Sequence, residues 1–334
     1  MRRLDIHLRD GDAYEMVIRV VKAAEPVDYI VVPLERQNRR LISVFVRDGT
    51  GQTLMDNIQS CLEREKDWRV ALFAIEATAP QIEETAPKRA STRGQKALRE
   101  EIYTGVAKGT KLDGDYLLFV VLSTIVAGIG LNSDGVAAVI GAMVIAPLLG
   151  PILGFALGVA LGDRELLGRA GLTLTAGIAL CLGTSLALSF ALPINLESRE
   201  LLSRAEVRLD GVALAMAAGG AAALSTARGV GSALVGVMVA AALLPPAASV
   251  GLFAGDGRWP LAGRAGLLLL LNIASLILAA LIVFRFKGIR PRTWIEQKDA
   301  SRAMAINAGL SVVFLVLCAA LILILDLGER VSFG

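Results

Sequence analysis

The residues best suited to build a binding site are four prolines in apolar sequence: Pro147 and Pro151 in one run, Pro245 and Pro246 in another. Asn272, inside LLLLLNIASLIL, is the clearest polar group deep in a third run. A proline lacks the backbone N–H and clashes with the carbonyl one turn earlier, so inside a helix it frees a carbonyl oxygen. In hydrocarbon that oxygen needs a partner, and interrupted helices are tolerated where protein or a wet cavity surrounds them. Matched interruptions therefore point to a membrane site built from backbone groups around Pro147–Pro151 and Leu244–Pro246, with Asn272 nearby. Gly141, Met143, Gly236 and Met238 precede the prolines in the two runs and belong to the same candidate set. The alternatives are a kink that shapes packing and, for Asn272, a helix–helix hydrogen bond.

Two further sets could touch a ligand. Asn132, Ser133 and Asp134 sit at one helix–helix junction, and Ser225, Thr226 and Arg228 at another. They either cap helix ends or gate a solute path at its two mouths. Asp48, Gly49, Thr50 and Gly51, in RDGTGQT, lie between a strand and a helix start. Free amides at a helix N-terminus can hold phosphate, so this loop could bind a small anionic effector such as a nucleotide; a plain turn is the alternative. Gly154, Gly158 and Gly162 form a small-residue stripe of the kind that lets helices approach closely, within or between protomers.

Other chemistry is disfavoured. His7 is the single histidine and reads as a strand residue, and Cys61, Cys181 and Cys318 have neither metal-ligand nor disulfide spacing. With no nucleophile motif either, an enzyme, a metal site and a resident cofactor are not expected. No Asp, Glu, Lys or Arg lies deep within an apolar run, which disfavours a carboxylate proton relay. A net charge of +3 gives no support to nucleic-acid binding.

The elements that must position these residues divide sharply by composition. Of the 334 residues 54% are hydrophobic, and the apolar ones concentrate in 116–326, in runs long enough to cross a bilayer, which takes about twenty helical residues. The spans read as 116–132, 134–162, 170–193, 210–226, 229–255, 261–286 and 303–326, roughly seven helices. The fourth, VALAMAAGGAAALS, is the least apolar. Residues 1–86 read as a soluble α+β domain. LDIHLR, DYIVVPLE, RLISVFVR and RVALFAIEA alternate like strands, while 12–24 and 51–65 have helical spacing. The order βαββαβ is the ferredoxin-like pattern, which hosts many functions. Residues 87–115 form a basic juxtamembrane linker and 116–330 the transmembrane domain. The N-terminus MRRLDIHLRDGD holds no apolar signal-peptide core. Basic clusters before the first span and after the sixth predict that both face the cytoplasm.

Sliding the chain against itself by 95 residues gives a gapless match. GAMVIAPLLGP (141–151) falls on GVMVAAALLPP (236–246), GRAGL (168–172) falls on GRAGL (263–267), and Asp115 falls on Asp210. The repeats, 115–193 and 210–286, hold three spans each. An odd count sends the second copy in from the opposite side, so the fold expected is an inverted repeat of three helices plus one extra helix.

The run NSDGVAAVIGAMVIAPLLGPILGFALGVALGD (132–163), with Ile140–Met143 followed by Pro147 and Pro151, resembles the signature of a bacterial and archaeal membrane family, the domain of unknown function 389. The resemblance implies a prokaryotic inner-membrane protein and carries no catalytic residue. The expectation is a small-solute transporter or channel with a cytoplasmic domain for sensing or assembly, the lipid bilayer and a small solute or effector as partners, and a homo-oligomer suggested by the Ala- and Gly-rich spans. The alternative is a membrane-anchored sensor whose soluble domain binds a nucleotide-like effector.

Overall fold

The computed structural model describes residues 1–34, 39–47, 50–63, 65, 67–75, 98–207, 209–229, 233–289 and 309. The expected seventh span, most of the linker, and Asp48 and Gly49 lie outside the described residues. The chain forms two compact units, Met1–Ile102 and Tyr103–Gly334.

In the first unit the alternation of apolar residues does what its period requires. The elements run β1 (Arg2–Arg9), α1 (Asp12–Ala23), β2 (Asp28–Leu34), β3 (Arg39–Val46), α2 (Gly51–Cys61) and β4 (Arg69–Ala74). The four strands make one sheet in the order β2-β3-β1-β4, every neighbouring pair antiparallel. Leu4, Ile6 and Leu8 of β1 and Ile42, Val44 and Val46 of β3 point to one face. There they pack with Val17, Ile18 and Val21 of α1 and Leu54, Met55 and Ile58 of α2. On the opposite face Arg3 Nε donates to Asp5 Oδ1 at 2.8 Å and Ser43 Oγ donates to the same oxygen at 2.7 Å. Burial works to raise the Asp5 pKa, but Arg3 and Ser43 outweigh it and hold the carboxyl below its ordinary value.

The second unit is helical. After α3 (Arg99–Lys108), whose last residues enter this unit, come α4 (Gly114–Asn132), α5 (Val136–Ile145), α6 (Leu149–Leu161), α7 (Arg164–Ala191), the short α8 (Arg199–Leu202) with a 3₁₀ turn at Ser203–Ala205, α9 (Leu209–Ala227), α10 (Ala233–Gly255) and α11 (Trp259–Lys287). Five of these, α4, α7, α9, α10 and α11, are long and apolar enough to cross a membrane, and a sixth crossing is available if the bent pair α5–α6 is one span. This is the build of a multi-pass membrane protein.

Close contacts fix the helix directions. Tyr116 meets Thr173, and Gly128 meets Leu188, so α4 and α7 run parallel. Gly251 abuts Ser185 and Gly255 abuts Ser189, so α7 and α10 run parallel. Gly211 lies against Leu268 and Gly219 against Leu276, so α9 and α11 run parallel. Ala242 faces Asn272 and Val250 faces Gly266, which makes α10 and α11 antiparallel. It follows that α7 and α11 point in opposite senses, and that the weakly apolar α9 traverses the bundle alongside α11.

The two proline-bearing runs differ. The first is broken: α5 and α6 meet at 51°. A residue preceding proline is pushed out of the helical region, and Ala146, before Pro147, is extended with ψ 123°. Pro151 is the third residue of α6, where its absent N–H would have had no helical acceptor anyway. The expected interruption at Pro245–Pro246 is absent, because α10 runs unbroken with both prolines inside it. The position 95 residues after Pro147 is Ala242, so the break-making residue has no proline counterpart. The carbonyl that Pro246 leaves without a donor, one turn back, is also that of Ala242, and Asn272 Nδ2 donates to it at 2.8 Å. A side chain from α11 thus replaces the missing backbone donor and keeps the helix whole.

Candidate functional site

Among the described residues, a cavity lies between α9, α10 and α11. It measures about 390 Å³ and is lined by the exposed or half-buried Ser203, Arg204, Glu206, Asp210, Gly211, Leu214 and Ala241 and by the buried Ala215, Ala242, Pro246, Leu268 and Asn272. Small residues make it possible. Gly219 lets α9 approach so closely that a Cβ there would lie 2.8 Å from Leu276 Cα, while at Gly211, two turns earlier, a Cβ would meet only the end of the Leu268 side chain at an ordinary 3.8 Å. The backbones are in contact at Gly219, and a side chain lies between the helices at Gly211.

The polar inventory of this cavity is incomplete in a specific way. Asn272 is 5% exposed. Its Nδ2 is committed to Ala242 O, an acceptor that can face only the amide's N–H side, and its Oδ1 has no partner. Arg204 pairs with Glu200 at 3.0 Å through Nη2, while its Nε is buried and without a partner. Ala241 also lines the cavity, and Pro245 cannot donate to its carbonyl. Asn272, Arg204 and Ala241 thus each line the cavity and each carry a polar group that lacks its usual partner.

The structure thus brings together Pro246 and Asn272 of the sequence-derived site. It does not bring Gly141, Met143, Gly236 or Met238 to the cavity: nothing lies within 4 Å of a Cβ at Gly141, Gly236 faces Leu149, and Met238 is 41% exposed. Where the two proline runs meet, Leu148, Leu243, Leu244 and Ala247 enclose with Ser123 and Cys181 an apolar void of only about 10 Å³. That is close to the minimum for one water. Pro147 and Pro151 shape α5 and α6 and do not line the cavity.

At the junction after α4, Asn132 Nδ2 donates to Pro193 O at 3.0 Å and its Oδ1 accepts from Asn195 N at 2.7 Å. Asp134 Oδ1 accepts from Glu200 N at 2.8 Å, and Ser133 Oγ donates to Ile129 O at 2.8 Å. These groups tie down the loop that leads to α8. Near the end of α9, Thr226 Oγ1 donates to Ala222 O at 2.9 Å and the Arg228 backbone amide caps Leu224 and Ser225 carbonyls. In the first unit, Thr50 Oγ1 donates to Arg47 O at 3.2 Å, and Gly51 is buried with Leu98 and Val46 at 3.4 Å from its Cβ position. The start of α2 is therefore partly covered by its own chain.

Sequence reasoning missed Ser203, Arg204, Glu206, Gly211 and Leu268. The available signal was in the repeat register: Gly211 falls on Tyr116 and Asn272 on Gly177. In the first triplet, the Tyr116 ring and hydroxyl fill the corresponding place, donating to Thr173 O at 3.0 Å and pressing on Gly177. Gly211, which the 95-residue sequence register sets on Tyr116, has no side chain and lines the cavity.

Comparison with known proteins adds the following. The family model described as domain of unknown function (DUF389) matches residues 143–278, a stretch that contains both proline runs and Asn272. An uncharacterised protein of Methanocaldococcus jannaschii is 34% identical over 236 residues, covering 71% of this chain and 73% of its own length. No solved structure matches. With a relative of that identity and coverage, the chain belongs to the domain of unknown function 389 family.

Proposed function

We propose that the protein is a transporter or channel for a small solute, built on an inverted pair of three-helix units, and that the α9–α10–α11 cavity is its solute site. The observation that carries this reading is a polar-mouthed cavity ending at a buried, half-satisfied amide in a unit otherwise made of apolar helices. The pairing of the units is supported by register. Helices α4 and α9 are both 19 residues long and begin 95 residues apart. The contacts Tyr116–Thr173 and Gly211–Leu268 share one separation of 57 residues. The opposed senses of α7 and α11 are what an inverted pair requires. In such a pair the filled place at Tyr116 and the open place at Gly211 sit at opposite membrane faces, so the cavity is open to one side and closed to the other.

The order βαββαβ with sheet order β2-β3-β1-β4 supports a ferredoxin-like first unit. With the basic residues from Lys88 to Lys111 and those from Arg285 onward taken as inside, this unit faces the cytoplasm of a prokaryotic inner membrane as a sensing or assembly domain, and the cavity opens outward. The test is access. With Cys61, Cys181 and Cys318 changed to Ser, Ala241→Cys should react in intact cells with a membrane-impermeant maleimide, and an added Gly211→Tyr should block that reaction. Ala156→Cys, fully buried, should stay unreactive. If Ala241→Cys reacts no faster than Ala156→Cys from either side of the membrane, the cavity is not a solute path.

A further inference from the structure

We propose that the solute's route continues from the cavity across the middle of α10 into a closed half-site, the apolar void lined by Cys181, and that the Pro245–Pro246 turn is the gate between the two. The proposal rests on the solute-site reading above and names how that site is gated. Leu244 is the central residue of α10 (Ala233–Gly255), so this turn lies at mid-span. Within it the residues sort by the space they face. Ala241, Ala242 and Pro246 line the cavity, whereas Leu243, Leu244 and Ala247 line the void. At about 3.6 residues per turn these two trios fall on nearly opposite faces of the helix. One thickness of α10 therefore separates an open space from a closed one. The rest of the void's wall includes Ser123 of α4, Cys181 of α7 and Leu148, the residue after Pro147 at the α5–α6 break.

The same turn is where α10 is least tied to itself. Pro245 and Pro246 have no N–H for the carbonyls of Ala241 and Ala242, so two consecutive rungs of the helical ladder are missing. The Ala242 oxygen is held instead by Asn272 Nδ2 at 2.8 Å, a bond from another helix. Missing rungs are where helices bend. The two halves of α10 also differ in how they are held. After the prolines, Gly251 and Gly255 lie tight on α7, with Leu182 O 2.7 Å from a Cβ placed at Gly251. Before them, a Cβ at Gly236 would meet Leu149 at an ordinary 3.8 Å. Losing the Asn272 bond frees the first half to swing about the turn while the second half stays on α7. The swing draws Leu243 and Leu244, which precede the prolines, out of the wall of the void and joins the void to the cavity. None of the described residues lining the void is charged, so an uncharged solute enters it at far lower cost than an ion.

Cys181, 3% exposed, is a native reporter of the half-site. With Cys61 and Cys318 changed to Ser, the full-length protein in membranes is treated with an uncharged probe, methyl methanethiosulfonate, and modification of Cys181 is followed by mass. Asn272→Ala, which unties the turn, should speed the reaction about tenfold or more. Adding Pro245→Ala and Pro246→Ala restores both backbone donors and should return the rate to that of the parent, which an enlarged cavity alone would not do. Adding Gly211→Tyr instead, which fills the cavity, should also cancel the rise, because the probe then has no way to α10. With Cys181 changed to Ser, the fully buried Ala156→Cys should react at one rate with and without Asn272→Ala. The gate is overturned if Asn272→Ala leaves the Cys181 rate unchanged, if either addition fails to cancel the rise, or if Ala156→Cys rises by the same factor. If Ala241→Cys is reached by maleimide yet Cys181 does not open in this way, the cavity stands as the solute site and only the gate falls; if Ala241→Cys is never reached, the solute path itself falls.

Discussion

The hydrogen bond from Asn272 to Ala242 is expected to matter only because of Pro246. Asn272→Leu keeps the side-chain volume and removes the donor, leaving the Ala242 carbonyl buried with no helical N–H to accept. An unsatisfied buried polar group costs about 1–3 kcal/mol, and side-chain hydrogen bonds measured within membranes average about 0.6 kcal/mol with a maximum near 1.7. The expected loss is therefore about 1–2 kcal/mol, or a fall of about 2–8 °C in Tm at the usual slope for a unit of this size. In a Pro246→Ala background the backbone supplies the donor, and the same Asn272→Leu change should cost close to nothing. Melting the four proteins of this cycle in one detergent gives the coupling free energy between the sites directly. An equal cost of Asn272→Leu with and without Pro246 would refute the account of why α10 stays whole.

Pro147→Ala should let Ala146 return to the helical region, so that spin labels at Ile140 and Leu161 move apart toward about 31 Å, the length of a straight helix at ~1.5 Å per residue; an unchanged distance would mean that packing, not proline, sets the bend. Gly219→Leu must push α9 off the Leu276 backbone and should cost at least about 1–3 kcal/mol, whereas Gly263→Leu, with nothing within 4 Å of its Cβ position, should be nearly neutral in the same melting assay. Asp5, held below its ordinary pKa in the fold, stabilises the first unit above the unfolded value of about 3.9 and loses that contribution as pH falls through the folded one. Acid unfolding of the full-length protein, followed through its strand signal, should begin at higher pH when Arg3→Met and Ser43→Ala remove the two groups that hold the carboxyl ionised; an unshifted midpoint would show that Asp5 is not the group involved.

The first unit was legible because its information is local. Leu4, Ile6 and Leu8 alternate, as do Ile42, Val44 and Val46, and this fixes both the strands and the face they bury. The break at Pro147 was also local, a rule acting on the residue before it. The continuity of α10 was not legible, because the group that permits it lies 30 residues away on another helix. Asn272 was visible as a buried amide, and the helix–helix hydrogen bond held open for it is the one it makes, yet nothing in the run LLLLLNIASLIL says which carbonyl it meets. The cavity mouth was hidden for a different reason. Ser203, Arg204 and Glu206 read as ordinary loop residues until a 3₁₀ turn at Ser203–Ala205 packs on α10 and α11 and brings them to the cavity.

If the proposed solute path is used, the contrast between Tyr116 and Gly211 sets what has to move. At matched positions of the two triplets one residue fills its space with a buried ring and a hydrogen bond to Thr173 O, and the other fills nothing. A solute that crosses the membrane by this route must at some point find the Tyr116 side open, which requires the ring to leave Gly177 and Thr173 O to lose its donor. The hydrogen bond alone is worth about 1 kcal/mol, and withdrawing the ring adds the cost of the apolar contact it makes with the helices around it, which for a full Phe→Ala truncation reaches about 3–5 kcal/mol. A rotation of the whole side chain into the bilayer would forfeit most of that sum, whereas a rigid shift of α4 with α7 would keep the Tyr116–Thr173 contact and open the space behind it instead. The close packing of α4 on α7 at Gly177, and of α10 on α7 at Gly251 and Gly255, favours a shift in which α4, α7 and α10 move as one body while their internal contacts stay made.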